Sequence, residues 1–247
     1  IYLRVFERAN INNALYIAFN APEEKKLSFF SDKGVVVPSG IEPVEFENTP
    51  PYGHWRNQHP SLVNKIIFLY LGRLNPNQKG LDMLLPAFAK LTTVRDDVHL
   101  ILAGPDERGG EAEVRQMISS LRIESHVALT GMVDGTEKLS ILNDSDAYAL
   151  VSPSEGTSIA LLEAMYMGLP VIASNRVGLS SQILDKNTGI VVERDINQIF
   201  TALDTIANDA VQRQQMGQNA HALVANKYTW NMIAIDLVET LRERADL

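Results

Sequence analysis

"SPSEGTSIALLEAMYMGLPVIAS" occupies residues 152–174. It reads as a loop leaving one strand, a helix entered at about Thr157 or Ser158, a stop at Gly168 and Pro170, and a second short strand. After Glu155 the stretch is small and apolar almost throughout, yet it keeps one further acid, Glu163. A buried, unpaired carboxylate is costly, so Glu163 must pair or face an opening.

Working outward, the same unit repeats. "KIIFLYLG" at 65–72 is a continuous apolar strand, and "LDMLLPAFAKL" at 81–91 puts Leu81, Leu84, Leu85 and Phe88 on one helical face. Pro86 must then sit near the first turns of that helix, or it would kink it. "HLILAG" at 99–104, "VALTG" at 127–131, "AYALVSPS" at 147–154, "PVIAS" at 170–174 and "TGIVV" at 188–192 read as further strands. Helical patterns at 111–121, 136–144 and 158–168 lie between them, and three more follow to the C-terminus. Strands apolar on both faces, alternating with helices, predict a doubly wound, Rossmann-like α/β fold with a parallel sheet covered on both sides. Before this series, 14–19 and 34–40 read as strands and 22–30 as a helix; 41–64, with four prolines and no clear period, reads as linker and loop.

The 247 residues, 45% of them hydrophobic, suffice for one large core or one domain plus a stub of another. The net charge of −8, with no long run of Lys and Arg, argues against a nucleic-acid partner. No apolar run approaches the ~18 residues that span a bilayer, so no membrane segment is expected. Cysteine is absent, which excludes disulfides and thiolate metal sites. His54 and His59 lie in an irregular loop without nearby cysteines, and no metal site is expected there.

Ligands on doubly wound sheets bind at the carboxyl ends of the strands, which directs attention to loops 72–80, 104–110, 131–134, 152–158 and 174–180. The helix start after Glu155 offers unpaired N–H groups and a partial positive charge, and Gly156 permits close approach of a ligand; phosphate suits such an end. An ordinary capped helix start fits these residues as well. Glu163, roughly 7 Å further along the helix axis, shares a face with Ile159, Ala160 and Met167 and could accept hydrogen bonds from a ribose diol; a structural ion pair is the alternative. In "GRLNPNQKG", Arg73 and Lys79 flank one turn and could clamp a diphosphate, or could be two solvated charges. Met132 and Val133, after Gly131, could frame a flat base or form a plain turn. Neither a P-loop nor G-x-G-x-x-G is present.

Taken in order, "VVVPSGIEP", "FLYLGRLNPNQKGLDMLLPAFAKL", "LILAGPD", "VALTGMV" and the 152–174 stretch closely resemble the C-terminal half of a retaining glycosyltransferase of family 4, with the GT-B fold. The E-x7-E pair falls on Glu155 and Glu163, and the Gly-Arg…Lys-Gly loop on Gly72, Arg73, Lys79 and Gly80. The resemblance implies that Glu163 binds the nucleotide ribose and that Glu155 stands beside the transferred hexose. It implies that Arg73 and Lys79 hold the donor diphosphate and that Gly72, Gly156, Thr157, Ser158 and Ile159 complete the donor contacts, with Met132 and Val133 framing the base. The donor would be a nucleotide diphosphate sugar, used without a metal or other cofactor. The implied layout is a remnant of the N-terminal acceptor domain at 1–38, an interdomain linker at 39–64, the nucleotide-sugar-binding domain at 65–228, and at 229–247 a helix returning toward the missing domain. The hydroxyl acceptor would bind through that missing domain, and the expected location is cytoplasmic, or peripheral at a membrane through it. The chain alone would then be inactive. Two departures stand out: Ser39 and Glu42 replace the usual Asn and Asp of the linker, and "RVGLSSQ" lacks the paired glycine and the acid that often follow the next cleft strand. A non-catalytic nucleotide-sugar-binding subunit and a GT-B epimerase are the alternatives.

Overall fold

The computed structural model describes residues 17–19 and 34–244. The expected helix at 22–30 lies outside the described residues, as do 14–16 of the first expected strand. Two short strands, β1 (Ile17–Phe19) and β2 (Gly34–Val36), pair in parallel apart from the main sheet.

The main sheet has six strands: β3 (Ile66–Leu71), β4 (Val98–Ala103), β5 (Val127–Gly131), β6 (Ala147–Leu150), β7 (Val171–Ser174) and β8 (Gly189–Val192). Their spatial order is β5-β4-β3-β6-β7-β8, and every pair is parallel. This is the doubly wound arrangement expected from the apolar runs. The central strand β3 shows why: Ile67, Phe68, Leu69 and Tyr70 are all fully buried, so the strand has no solvent face.

Helices cover the two faces. They are α1 (His54–Gln58), α2 (Pro76–Lys79), α3 (Leu81–Thr92), α4 (Gly110–Leu121), α5 (Gly135–Asp144), α6 (Ile159–Tyr166), α7 (Ser180–Asp185), α8 (Ile196–Asn208), α9 (Ala210–Lys227) and α10 (Trp230–Arg244). Helix α3 packs against α4 and α8, and α6 packs against α9. Leu81, Leu84, Leu85 and Phe88 are all buried, as the helical spacing requires. Pro86 sits in the second turn of α3, where the N–H it lacks would have reached the Asp82 carbonyl. Arg194 grips the Asp82 carboxylate with two 2.9 Å bonds from Nη2 and donates from Nε to the Val151 carbonyl, tying the end of β8 to the start of α3 and the end of β6.

The segment expected as irregular linker is more ordered than its prolines suggest. It holds α1 and two short 3-10 turns (Pro43–Phe46 and Pro60–Leu62), and α1 packs on α5. Its order comes from distant polar partners, the buried Arg56 and the aspartates 144 and 146, which no local period reports. Further upstream, Ile41 exchanges backbone hydrogen bonds with Tyr228 and Trp230, so the linker is anchored where α9 gives way to α10. Among the described residues no helix is long and apolar enough to cross a membrane.

His99 on β4 is a cost within this core. It is 7% exposed, and its Nε2 has no hydrogen-bond partner among the described residues. Burial first, and then the charges of His126, Lys65 and His59, push its pKa down to about 4. In the unfolded chain a histidine titrates near ~6.5. Above that pH both states are neutral and the stability is fully present. As pH falls toward 4, the unfolded state gains a proton that the native state refuses, so stability drops by about 3 kcal/mol across that window. Urea melts at pH 7.5 and 4.5 should show His99→Phe losing less stability on acidification than the parent. An equal loss in the two proteins would refute this account.

Candidate functional site

The strand order reverses between β3 and β6, and the loops leaving these two strands lie side by side at the carboxyl edge of the sheet. Doubly wound folds bind ligands at such a switch point. Two buried tyrosines shape it from below. Tyr148 donates to the Leu71 carbonyl at 3.1 Å and Tyr70 to the Arg73 carbonyl at 2.6 Å, fixing the exit of β3. Burial, followed for Tyr70 by the negative charge of Glu155, holds both phenols well above their usual range, so they serve as neutral donors.

The β3 loop then turns into α2, capped by Asn75, whose side chain accepts from the Gln78 N–H at 3.1 Å. Helix α2 ends at once because Gly80 takes φ +80°, a left-handed conformation that side chains disfavour. An added Cβ there would also run into the Val151 carbonyl, so only glycine lets the two loops touch. Lys79 is thereby carried across to the β6 loop, and its Nζ lies 2.7 Å from Glu155 Oε2. Ser152 Oγ sits 3.5 Å from the same oxygen. The backbone of Glu155 is fixed from the β7 side: its N–H donates to Arg176 at 3.2 Å, and its carbonyl accepts from Gly178 at 2.8 Å.

Helix α6 starts three residues past Gly156, with Ser158 as its cap accepting from the Leu161 N–H. Thr157 is buried, and Ser158 is partly exposed. Glu163 is buried at 7% exposure, and its Oε1 accepts from Lys138 Nζ at 2.8 Å. Lys138 lies in the first turns of α5, the helix that follows Met132 and Val133. Of that pair, Met132 is 71% exposed while Val133 belongs to the core. Ile159, at the start of α6, is also exposed.

The structure therefore brings together Lys79 and Glu155, and sets Glu163 against Lys138. Arg73 goes elsewhere. Its side chain is 54% exposed and its guanidinium pairs with Glu107 on the loop after β4, which also accepts from Asn75 Nδ2 at 3.0 Å. The two cations of one loop thus have different carboxylate partners. Sequence reasoning missed Lys138, Glu107 and Ser152. Glu107 lies within the strand-end loop 104–110 already singled out, whereas an isolated lysine such as Lys138 carries no signal. Among the described residues no group of three or more His, Asp or Glu side chains is placed to hold one metal ion. Chemically, the edge offers an ammonium and a helix N-terminus for an anion, and a buried carboxylate for hydroxyl donors.

Comparison with known proteins gives the family and the fold. A family model described as glycosyl transferases group 1 matches residues 53–223, from α1 to α9. The chain belongs to this family. Among curated relatives, an uncharacterized glycosyltransferase of Methanocaldococcus jannaschii is 28% identical over 91% of this chain and 55% of its own length. A phosphatidyl-myo-inositol mannosyltransferase of Mycobacterium leprae is 27% identical over 83% and 52%. The lipopolysaccharide 1,2-N-acetylglucosaminetransferase of Salmonella typhimurium is 26% identical over 85% and 57%. The chain thus spans about half the length of the curated relatives it matches. Among solved structures, the Anabaena protein Alr3699/HepE in complex with UDP and glucose superposes with a TM-score of 0.83 at 20% identity, covering 98% of this chain and 66% of that one. The glycosyltransferase WaaG, involved in lipopolysaccharide biosynthesis, gives 0.76 at 19% identity, covering 94% and 66%. These likenesses show the fold: a parallel six-stranded, Rossmann-like sheet that matches glycosyltransferase structures of the GT-B fold.

Proposed function

We propose that this chain is the donor-binding half of a retaining, family 4 glycosyltransferase that moves a hexose from a nucleotide diphosphate sugar to a hydroxyl acceptor. The observation that carries the reading is the pair of glutamates on the segment leaving β6 at the sheet's switch point, each held by a lysine from a neighbouring helix. On this reading residues 65–228 bind the donor, and the acceptor groove belongs to a further domain of which 1–38 is the remnant. The linker covers 39–64 and the helix from 229 onward packs toward that domain.

The roles follow from position. The diphosphate lies over the first turn of α6, where the N–H groups around 156–159 point at it. Lys79 and Arg73 supply the cations, and neutralise the charge that develops on the diphosphate as its bond to the sugar breaks. Those two cations do this work without a metal. Lys79 then serves both the phosphate and Glu155, whose carboxylate orients the hexose and offsets positive charge growing on its ring. Glu155 is not assigned as a covalent nucleophile. Glu163 accepts from the ribose diol, and Met132 and Val133 frame the base beside the Gly72 loop.

Calorimetric titration of the chain with nucleoside diphosphates tests this. The Anabaena neighbour was solved with UDP and glucose, so UDP and UDP-glucose lead the panel. Nucleoside diphosphates should bind measurably and the bare nucleosides weakly. Arg73→Ala should weaken diphosphate binding about tenfold or more, the size of a lost charge-assisted hydrogen bond, and leave nucleoside affinity nearly unchanged. A chain that binds no nucleoside diphosphate sinks the proposal.

A further inference from the structure

The ion pair between Lys138 and Glu163 joins residues from different helices, and no pattern in the sequence announces it. Its two ends differ in exposure: the side chain of Glu163 is 9% exposed, that of Lys138 24%. Glu163 is thus the group with more to lose from an absent partner. Left alone at that depth, a carboxylate is costly and has nothing to fix its orientation. A diol needs an acceptor held at a fixed angle, which a carboxylate anchored through one oxygen supplies.

The place of Lys138 on its own helix points the same way. Its N–H donates to the Asp134 carbonyl at 3.2 Å, which puts it in the opening turns of α5. A cation is disfavoured at that end by the helix dipole. Nothing in the helix therefore requires a lysine, whereas Glu163 across the gap does. Helix α5 also begins immediately after the loop of Met132 and Val133. One side chain consequently links the loop on the base side to the carboxylate on the ribose side.

We propose that Lys138 is a positioning residue that holds one oxygen of the Glu163 carboxylate and so aims the other at the ligand's vicinal diol, setting the preference for a ribonucleotide over a deoxyribonucleotide. This rests on the donor-site reading above. Lys138 acts through Glu163 and needs no contact with the ligand itself.

The experiment titrates UDP and 2′-deoxy-UDP into the parent chain and into Lys138→Met, Lys138→Arg and Glu163→Gln, with thermal melts of each. The parent should prefer UDP. Lys138→Met should lose most of that preference, with UDP affinity falling about tenfold and 2′-deoxy-UDP affinity changing little. Lys138→Arg should restore most of it, because a guanidinium can hold the same oxygen. If methionine unfolds the chain, Lys138→Gln carries the same comparison. An equal loss for both nucleotides, an intact preference, or failure of arginine to rescue would overturn the assignment. A parent that binds UDP and 2′-deoxy-UDP equally would instead remove the diol role of Glu163, and the role of Lys138 with it. Glu163→Gln separates these cases, since it should abolish any preference the parent has whether or not Lys138 matters.

Discussion

Arg56→Ala is expected to destabilise the protein by about 3–5 kcal/mol, the cost of breaking a buried ion pair from one side. Arg56 is 4% exposed, and it spends its donors on two segments, 62–65 and 144–146. Nη2 meets Asp146 Oδ2 at 2.7 Å, Nε the Asp144 carbonyl at 2.9 Å, and Nη1 the carbonyls of Leu62 and Lys65 at 3.0 and 2.8 Å. Asp144 in turn accepts the backbone N–H groups of Gly53, Trp55 and Arg56 at 2.5, 2.8 and 2.8 Å. Asp146 also accepts the Ile67 N–H at 2.8 Å, at the root of the central strand. Removing the guanidinium leaves Asp146 with only the more distant cation Arg213, whose Nε is 4.0 Å away, and leaves several carbonyls short of donors. Arg56→Lys keeps the charge but not the planar fork, so it should recover only part of the loss. Urea unfolding should show a lower midpoint at an unchanged slope. A change within about 0.5 kcal/mol, as for an ordinary surface site, would show that water or neighbouring groups replace the fork.

This network marks the limit of what the residues alone disclose. The six main strands and their covering helices are legible because burial on two faces writes itself as continuous apolar runs, and helix faces as a local period. "IIFLYL" has no other comfortable place than the middle of a parallel sheet. The strand-end loops, Gly80 and the Glu155–Glu163 spacing are legible for a similar reason, since each is a local feature at a predictable edge. Arg56, Asp144 and Asp146 are not, because their partners lie far along the chain and charged residues beside prolines look like solvated loop. Helix α7, only six residues long, escapes for want of a full period. Lys138 escapes as well, since one lysine in a helix of mixed character looks like surface. Arg73 is the instructive intermediate. Its type and place are readable, but the carboxylate it faces, Glu107, is set by the packing of β3 beside β4.

On the donor-site reading proposed above, Lys79→Ala in the full-length protein is expected to cut sugar transfer by about 10²–10³, the usual cost of removing one preorganised electrostatic contact from a transition state. Binding of the nucleoside diphosphate should fall by only about tenfold. The difference arises because the leaving diphosphate gains charge as its bond to the sugar breaks, so the ammonium interacts more strongly in the transition state than with the bound donor. The ion pair complicates the measurement in an instructive way. Glu155 is 18% exposed at its side chain and 2.7 Å from Lys79, so deleting the lysine also leaves a half-buried carboxylate without its cation. Part of any loss could then be repulsion between Glu155 and phosphate rather than a missing contact. The double variant Lys79→Ala with Glu155→Gln separates the two, since it removes the orphaned charge while still lacking the ammonium. If repulsion is the larger effect, the double variant binds UDP nearly as well as the parent. If the lysine contacts phosphate directly, binding stays weak in both. Glu155→Gln alone completes the cycle, and it should leave UDP affinity nearly intact while lowering transfer if its carboxylate serves the hexose and not the nucleotide, as proposed. Transfer that survives Lys79→Ala with only weakened binding would remove the lysine from the chemical step and leave the N-terminus of α6 and Arg73 to stabilise the leaving group.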